Sequence, residues 1–283
     1  MLAGLMLHGG MTRALLIASL SLVFMMTLSA DDREPLYLIL GAVPQETKPI
    51  VAALADRERG ELAGLEYFQG TLGTNHVVVA LTGVGKSYTA MVTALFLQEF
   101  KPNAAFMTGT GARINPQLRT GDVILPTSVF LHDYGSLGES GITIAGLQPP
   151  SVPNEAPLLK NDFGITSEMH AKALQLIEAY EKHSVEVDGE SYKVEIGPGR
   201  VASGDFFGVP QSRIDVLRSM KVDIMEMESA TFAVVCGHFG TPFLVVRSGS
   251  NLAQATPSKD YLTYGPIAAY SSAKTTTYLV SNW

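Results

Sequence analysis

Short apolar runs alternate with longer amphipathic segments from residue 36 to the end of the chain. Three apolar runs that lead into glycine turns predict β-strands at residues 36–40, 76–81 and 104–108. Less regular runs predict further strands at residues 122–125, 192–201, 222–225 and 243–247. Apolar residues at helical spacing predict helices at residues 88–100, 167–183, 229–239 and 265–280. This order predicts one α/β domain with a central mixed, mainly parallel sheet flanked by helices.

Residues 135–164 interrupt the alternation with a stretch rich in Gly, Pro and Ser. A connection of that length inside a domain typically runs over the surface as a functional lid or a contact between subunits. We therefore expect an excursion from the sheet at this point.

The N-terminus carries the pattern of a secretory signal. Residues 14–28 are almost uninterruptedly apolar after Arg13, and the small residue Ala30 precedes an acidic, polar segment. Fewer apolar residues are present than the ~20 that a membrane-spanning helix needs. The pattern predicts a signal segment at residues 1–30 and a mature domain at residues 31–283, exported to the periplasm or secreted, without stable membrane association after cleavage. An uncleaved anchor and a start at Met11 remain alternatives.

Composition excludes several classes of protein. A chain of 283 residues that is 46% hydrophobic and 17% charged can bury a large core. The formal net charge of −7 and the lack of a Lys/Arg cluster argue against a nucleic-acid partner. The single cysteine, Cys236, permits no disulfide within the chain. The histidines show no metal-ligand spacing, so we expect neither a metal nor an organic cofactor.

Two carboxylates lie where a predicted strand gives way to a predicted helix. Glu226 and Glu228 alternate with Met225 and Met227, and unpaired charges in such apolar surroundings are costly. In open α/β sheets, ligands bind beyond the carboxyl ends of the strands. The pair therefore indicates either a site for a hydroxylated ligand or a solvated acidic turn.

Glycine turns with polar residues follow the other predicted strands. They comprise the motifs Gly-Ala-Val-Pro-Gln-Glu from Gly41, Thr-Gly-Thr-Gly-Ala-Arg from Thr108, Ser-Gly-Asp-Phe-Phe from Ser203 and Arg-Ser-Gly-Ser-Asn from Arg247. With the Met-Glu-Met-Glu run, their order resembles the nucleoside phosphorylase and nucleosidase superfamily, and most closely its methylthioadenosine/S-adenosylhomocysteine nucleosidase branch. The resemblance covers residues 36–280 and implies an N-glycosidase that binds a purine nucleoside.

The resemblance also implies roles for individual residues. Glu46 matches the glutamate that activates the attacking water, and Thr110 and Arg247 match residues that hold that water. Glu228 matches the ligand of the ribose hydroxyls. Met227 would pack on the sugar and Phe207 would stack on the purine, with Phe206 as the alternative. Taken singly, Thr110 is equally a turn hydroxyl and Arg247 equally an ion-pair partner of the acidic run.

Asn251 departs from the nucleosidase pattern. In the resembling nucleosidases this position is an aspartate that protonates the leaving purine, which an amide cannot do. General acid catalysis contributes roughly two to four orders of magnitude, so cleavage of aminopurine nucleosides should be impaired. Asparagine can still donate a hydrogen bond to the base, and related proteins that prefer 6-oxopurines use it so. Substrates resembling inosine or guanosine therefore join methylthioadenosine and S-adenosylhomocysteine as candidates.

The nucleophile is the remaining choice. The resembling phosphorylases carry a phosphate-binding arginine just before the central glycine turn, where this chain has Met107, although Arg113 follows nearby. With Glu46 present we favour hydrolysis over a phosphate-dependent phosphorylase. A catalytically weak nucleoside-binding or storage protein is a third possibility that fits Asn251 and the signal segment. The resemblance further implies a homodimer, with residues 132–134 near the neighbouring subunit.

Overall fold

The alternating apolar runs form strands of one large sheet in the computed structural model, which describes residues 34–139, 141–150, 159–254 and 258–283. The segment on which the signal prediction falls lies outside these residues. The first half of the chain contributes β1 (Leu36–Gly41), β2 (Ala55–Leu62), β3 (Leu65–Leu72), β4 (Asn75–Leu81), β5 (Ala104–Arg113) and β6 (Val123–Leu131). The second half contributes β9 (Phe163–Gly164), β12 (Ile196–Ser203), β13 (Ile224–Glu226) and β14 (Phe243–Leu252). Two small hairpins stand apart, β7 (Gly135–Gly138) with β8 (Gly141–Ile144) and β10 (Ser184–Val187) with β11 (Glu190–Lys193).

Six helices connect the strands within the described residues. They are α1 (Pro44–Ala53), α2 (Lys86–Phe100), α3 (Ser167–Glu178), α4 (Gln211–Ser219), α5 (Ser229–Phe239) and α6 (Ser258–Ser281). None of these helices combines the length and the hydropathy of a membrane span.

The sheet is mixed, as predicted. Its strand order is β13-β12-β6-β14-β5-β1-β4-β3-β2, with β9 paired to β6. The strands β4, β1, β5 and β14 pair in parallel, and so do β6, β12 and β13. The two groups meet antiparallel at β14 and β6. Since β13 also pairs with β5, the strands β5, β14, β6, β12 and β13 close into a ring.

The central strands are buried on both faces, which explains their continuous apolar runs. Leu38, Ile39 and Leu40 of β1 and Phe106 and Met107 of β5 are fully buried in the largest core cluster. Helices cover both faces of these strands, and α6 contacts β14 and β5 while α2 packs on α5. The ring holds its strands in fixed register, and β1 continues the sheet beside β5.

Several predicted boundaries were wrong. The strand predicted at residues 192–201 is two strands, since β11 ends at Lys193 and β12 begins at Ile196. The helix predicted from residue 265 begins at Ser258, and the helix predicted to residue 183 ends at Glu178. The hairpin β2–β3 was missed because the charged residues of β2 are largely exposed at a sheet edge. The excursion predicted at residues 135–164 begins with the exposed hairpin β7–β8.

Candidate active site

One cavity is lined by residues in or just after the C-terminal parts of β1, β5, β12, β13 and β14, together with residues in the first turns of α1 and α6. Six of the seven predicted site residues line it, namely Glu46, Thr110, Phe207, Met227, Glu228 and Asn251. The seventh, Arg247, lies behind the cavity wall and is fully buried. The fold thus brings together residues that are up to 205 positions apart in sequence.

Glu46 occupies the first turn of α1, which begins after Val43 in an extended conformation. The carboxylate is 2% exposed. Its Oε2 accepts hydrogen bonds from the backbone N–H groups of Ala42 (2.7 Å) and Val43 (3.2 Å). Its Oε1 accepts from the backbone N–H (2.9 Å) and the hydroxyl (3.1 Å) of Thr110. These donors fix one rotamer of an acidic side chain at the edge of the cavity.

The close approach of α1 to β5 depends on Gly109. A Cβ at this position would collide with Nη1 of Arg247 and would lie 2.9 Å from Oε1 of Glu46. A glycine is therefore required for the Glu46 carboxylate and the Arg247 guanidinium to sit side by side. Because Gly109 leaves this space free, the residue that follows it in the Thr-Gly-Thr motif can place its hydroxyl, that of Thr110, against Glu46.

Glu226 stabilises the start of α5. Its carboxylate accepts hydrogen bonds from the backbone N–H groups of Glu228 (3.0 Å) and Ser229 (2.9 Å) and from the hydroxyls of Ser229 and Ser203. Its Oε2 also lies 2.6 Å from Nη2 of Arg247. These contacts satisfy Glu226 within the protein, so we assign it a structural role.

Arg247 neutralises the acidic run from behind. Its guanidinium donates to Ser229 Oγ (2.9 Å), to the Thr110 carbonyl (3.3 Å) and to Glu228 Oε2 (3.4 Å). Burial acts to lower the pKa of Arg247, but Glu226, Glu228 and Glu46 together raise it above its ordinary value. The contacts with Glu226 and Glu228 make Arg247 an ion-pair partner of the acidic run. The structure does not place Arg247 in contact with the cavity, so any effect on a bound water would pass through Thr110 or Glu46.

Glu228 faces the cavity with few protein partners. Its Oε1 accepts from the backbone N–H of Gly85 (2.9 Å), where a φ of +89° turns the chain toward it. Burial is the main cause that raises the pKa of Glu228 to about 8, helped by the like charges of Glu226 and Glu46 and opposed by Arg247 and the Gly85 N–H. Without a ligand, Glu228 therefore retains a proton to higher pH than an ordinary glutamate. Hydroxyl donors from a sugar would favour its ionised form.

This pKa predicts how stability depends on pH. The pKa of Glu228 in the unfolded chain is its ordinary value of 4.5, whereas burial raises the pKa of the folded side chain to about 8. The unfolded state binds fewer protons between these pH values, so stability falls as pH rises through this window. Relative to a Glu228→Gln variant, the wild type should lose at least about 1 kcal/mol of unfolding free energy between pH 5 and pH 8. Urea unfolding of both proteins at the two pH values measures the difference, and equal pH slopes would contradict the assignment.

Asn251 presents its amide to the cavity from β14. Its Oδ1 lies 3.1 Å from the Ser250 hydroxyl, whose single hydrogen is shared with the Gly111 carbonyl at 3.0 Å, and its Nδ2 donates one hydrogen to the Leu252 carbonyl (3.0 Å). Asn251 is almost fully buried, with 2% of its surface exposed. The second Nδ2 hydrogen has no acceptor among the described residues and is available to a ligand. The amide offers one donor and one remaining acceptor lone pair to a bound base.

Aromatic side chains form the opposite wall. Phe206 and Phe207 both line the cavity and are about half exposed, at 47% and 53%. The Phe207 ring packs edge-on against Tyr261 with centroids 5.5 Å apart. Met227 lies on the same cavity lining. Either phenylalanine can reach a planar base, and the contact with Tyr261 favours Phe207 as the more firmly oriented of the two.

Sequence patterns missed Tyr261, which lies in the first turn of α6 and lines the cavity. Its hydroxyl lies 3.3 Å from Thr110 Oγ1. Helical periodicity was weak before Gly265, so the residue fell in a predicted loop. No cluster of potential metal ligands occurs among the residues that the structure describes.

Comparison with known proteins identifies related sequences. The family model of the phosphorylase superfamily matches residues 36–278. A 5'-methylthioadenosine/S-adenosylhomocysteine nucleosidase from Marinomonas sp. (strain MWYL1) is 30% identical over 83% of this chain and 94% of its own length. The nucleosidase from Anoxybacillus flavithermus is 28% identical over 86% of this chain and 97% of its own length.

Solved structures show the same fold. The Neisseria meningitidis 5'-methylthioadenosine/S-adenosylhomocysteine nucleosidase in complex with methylthio-immucillin-A aligns with a TM-score of 0.73 at 23% identity, covering 88% of this chain and 99% of its own. The futalosine hydrolase of Helicobacter pylori aligns with a TM-score of 0.72 at 23% identity, covering 88% and 98%. The match over nearly all of the described sheet and helices shows that this chain belongs to the phosphorylase superfamily.

Proposed function

We propose that this chain is an exported nucleosidase that hydrolyses the N-glycosidic bond of a purine nucleoside. The observation that supports this most strongly is the buried Glu46–Thr110 pair at the edge of a cavity that also contains Glu228 and Asn251. The similarity to 5'-methylthioadenosine/S-adenosylhomocysteine nucleosidases agrees with it. One site therefore contains side chains that can bind a sugar, a water molecule and a purine.

In the proposed reaction, Glu46 accepts a proton from water as the water oxygen bonds to the anomeric carbon. The bond from that carbon to the purine nitrogen breaks, and its electron pair passes to the base. The transition state resembles an oxocarbenium ion, which a nearby carboxylate stabilises. The sugar hydroxyls would bind Glu228, and the base would bind Asn251 and Phe207. The leaving base takes its proton from solvent, because an amide has none to give.

The base preference follows from Asn251. Its free N–H donor and remaining lone pair suit a 6-oxopurine, which has acceptors at O6 and N7 and a donor at N1. An adenine leaving group depends more on protonation during cleavage and would leave slowly from this site. We therefore rank inosine- and guanosine-like substrates first, and methylthioadenosine and S-adenosylhomocysteine as the other candidates.

Water is favoured over phosphate as the nucleophile. No arginine or lysine lines the cavity among the described residues. Met107 is fully buried, and Arg113 donates to the Leu118 carbonyl (2.6 Å) and lines a separate groove. Phosphate binding generally requires such a cation. The site is therefore better suited to a neutral nucleophile.

The export and dimer proposals rest on other observations. The apolar segment at residues 14–28 precedes the family match, which begins at residue 36. Val84 and Phe206 line the cavity and Tyr88 and Met91 lie on α2, and each of the four side chains is between 44% and 61% exposed. An exposed apolar patch of this kind is typical of a protein–protein interface. We propose that a second copy of the chain covers it after residues 1–30 are removed.

The first experiment incubates purified residues 31–283 with inosine, guanosine, adenosine, methylthioadenosine and S-adenosylhomocysteine, each with and without phosphate. Chromatography then measures free base. Release that does not depend on phosphate supports the proposal and ranks the bases. Release only with phosphate would replace it by a phosphorylase.

A nucleoside-binding role is the second candidate, and Asn251 is the observation that favours it. Calorimetric binding of a nucleoside without any base release would support that role. N-terminal sequencing of the protein from a secreting host tests export separately, and a mature N-terminus at Asp31 is expected. Retention of residues 1–30 on exported protein would contradict the cleavage site.

A further inference from the structure

We propose that Tyr261 is a positioning residue that holds the Thr110 hydroxyl in the orientation needed to bind the attacking water. This inference rests on the proposed function and deepens it. Tyr261 forms the outer member of a hydrogen-bond chain that runs through Thr110 to Glu46. The chain connects the first turn of α6 to the first turn of α1 across the end of β5.

The direction of the chain follows from a count of hydrogens. A threonine hydroxyl has one hydrogen, and the Glu46 carboxylate can only accept. The Thr110 hydroxyl donates that hydrogen to Glu46 Oε1 at 3.1 Å. Tyr261 must therefore be the donor in its 3.3 Å contact with Thr110 Oγ1. The buried phenol remains protonated at neutral pH, since burial raises the pKa of Tyr261.

This direction leaves one acceptor position on Thr110 for a water. The Thr110 hydroxyl gives its hydrogen to Glu46 and receives one from Tyr261, so one lone pair is unused. A water can donate one hydrogen to this lone pair and its second hydrogen to Glu46, provided that it replaces one of the four donors already on that carboxylate, of which the Val43 N–H (3.2 Å) is the most distant. The Tyr261 hydroxyl thereby fixes both the rotation of the Thr110 hydroxyl and the lone pair that meets the water.

Two neighbours hold the Tyr261 ring in place. The ring packs edge-on against Phe207 at an interplanar angle of 90°. One turn later on α6, a Cβ on Gly265 would lie 2.9 Å from Cε2 and 3.0 Å from Cζ of Tyr261. Real Cβ contacts are longer than this, so glycine is what permits the phenol to reach Thr110. Gly265 is buried and helical, where alanine is intrinsically more favourable for the backbone.

Three variants test the proposal on the best nucleoside from the substrate panel. Tyr261→Phe keeps the ring on Phe207 and removes only the hydroxyl. Gly265→Ala keeps the hydroxyl and displaces it from Thr110. Tyr264→Phe is the matched control, because its hydroxyl binds Asp188 (2.9 Å) and Tyr264 does not line the cavity.

We expect Tyr261→Phe and Gly265→Ala each to lower kcat by about three- to tenfold with KM changed less than about twofold, as for loss of one buried hydrogen bond. The double variant should match Tyr261→Phe alone, because both changes remove the same contact. Binding of the free base, measured by calorimetry, should be unchanged in Tyr261→Phe, which keeps the ring on Phe207. Tyr264→Phe should behave as wild type.

The outcomes separate this inference from the proposed function. If wild type releases base and Tyr261→Phe keeps its kcat, or raises KM alone, the positioning role is wrong while the nucleosidase stands. If the losses in kcat add in the double variant, Gly265 does not act through the contact between Tyr261 and Thr110. That result would also overturn the proposed hydrogen-bond chain. If wild type releases no base from any nucleoside, both the proposed function and the positioning role are overturned.

Discussion

Glutamine in place of Glu46 is expected to reduce base release by about 10²- to 10⁴-fold, the range that a positioned general base contributes. The amide can no longer accept a proton from water. The NH₂ group of the amide also faces N–H and O–H groups that donate to the carboxylate in the wild type. These donors are the backbone N–H groups of Ala42, Val43 and Thr110 and the Thr110 hydroxyl. We therefore expect a lower kcat together with a lower unfolding free energy. Initial rates of base release and urea unfolding measure the two effects.

Exposed Glu58 supplies the matched control for this change. Its carboxylate on β2 accepts a hydrogen bond from Gln69 (2.8 Å) and is remote from the cavity in the strand order. Glu58→Gln should leave both rate and stability close to wild type. Calorimetric binding of the free base shows whether Glu46→Gln still forms the site. A folded, base-binding Glu46→Gln protein with wild-type kcat would exclude Glu46 as the base.

The second large effect is a gain of function in Asn251→Asp. A carboxylic acid at this position can protonate the leaving base, so cleavage of adenosine-type nucleosides should rise by about 10²-fold or more. The same change removes the Nδ2 donor that faces the cavity, so the rate on 6-oxopurine nucleosides should fall. The ratio of kcat/KM for adenosine to that for inosine measures both changes at once.

A control for Asn251→Asp lies at the other end of the sheet. Asn103 accepts a hydrogen bond from the Leu36 N–H through Oδ1 (2.9 Å), and an aspartate can keep that bond. Asn103→Asp should therefore change neither the ratio nor the rates. If folded Asn251→Asp gains nothing on any adenosine-type nucleoside, the missing proton donor is not what limits this site.

Much of the fold could be predicted because its buried strands are short and apolar. The strands around Leu38 and Phe106 follow directly from such runs, and α5 occupies its predicted residues. Elements outside the core were harder to predict. Helix α1 contains Pro44 and Pro49, which hid its helical pattern, although it carries Glu46.

Site residues could be predicted from the sequence where each of them belongs to a local sequence motif. Glu46 and Glu228 follow strands and Asn251 lies near the end of β14, and the sheet brings all three to one cavity. Arg247 was different, because only packing decides whether a buried guanidinium faces a ligand or its neighbouring carboxylates. Tyr261 was missed for the same reason, since its hydroxyl meets Thr110 only after α6 docks against β5.

In the proposed reaction, a water molecule held by Glu46 and Thr110 attacks the sugar. The most direct measurement is mass spectrometry of the sugar released from the best substrate in ¹⁸O-labelled water with phosphate present. The predicted result is a free sugar that has gained one ¹⁸O atom. The sugar is sampled within a single turnover, before its open-chain form exchanges oxygen with the labelled water. A sugar 1-phosphate, or an unchanged nucleoside that remains bound, would contradict the hydrolytic account.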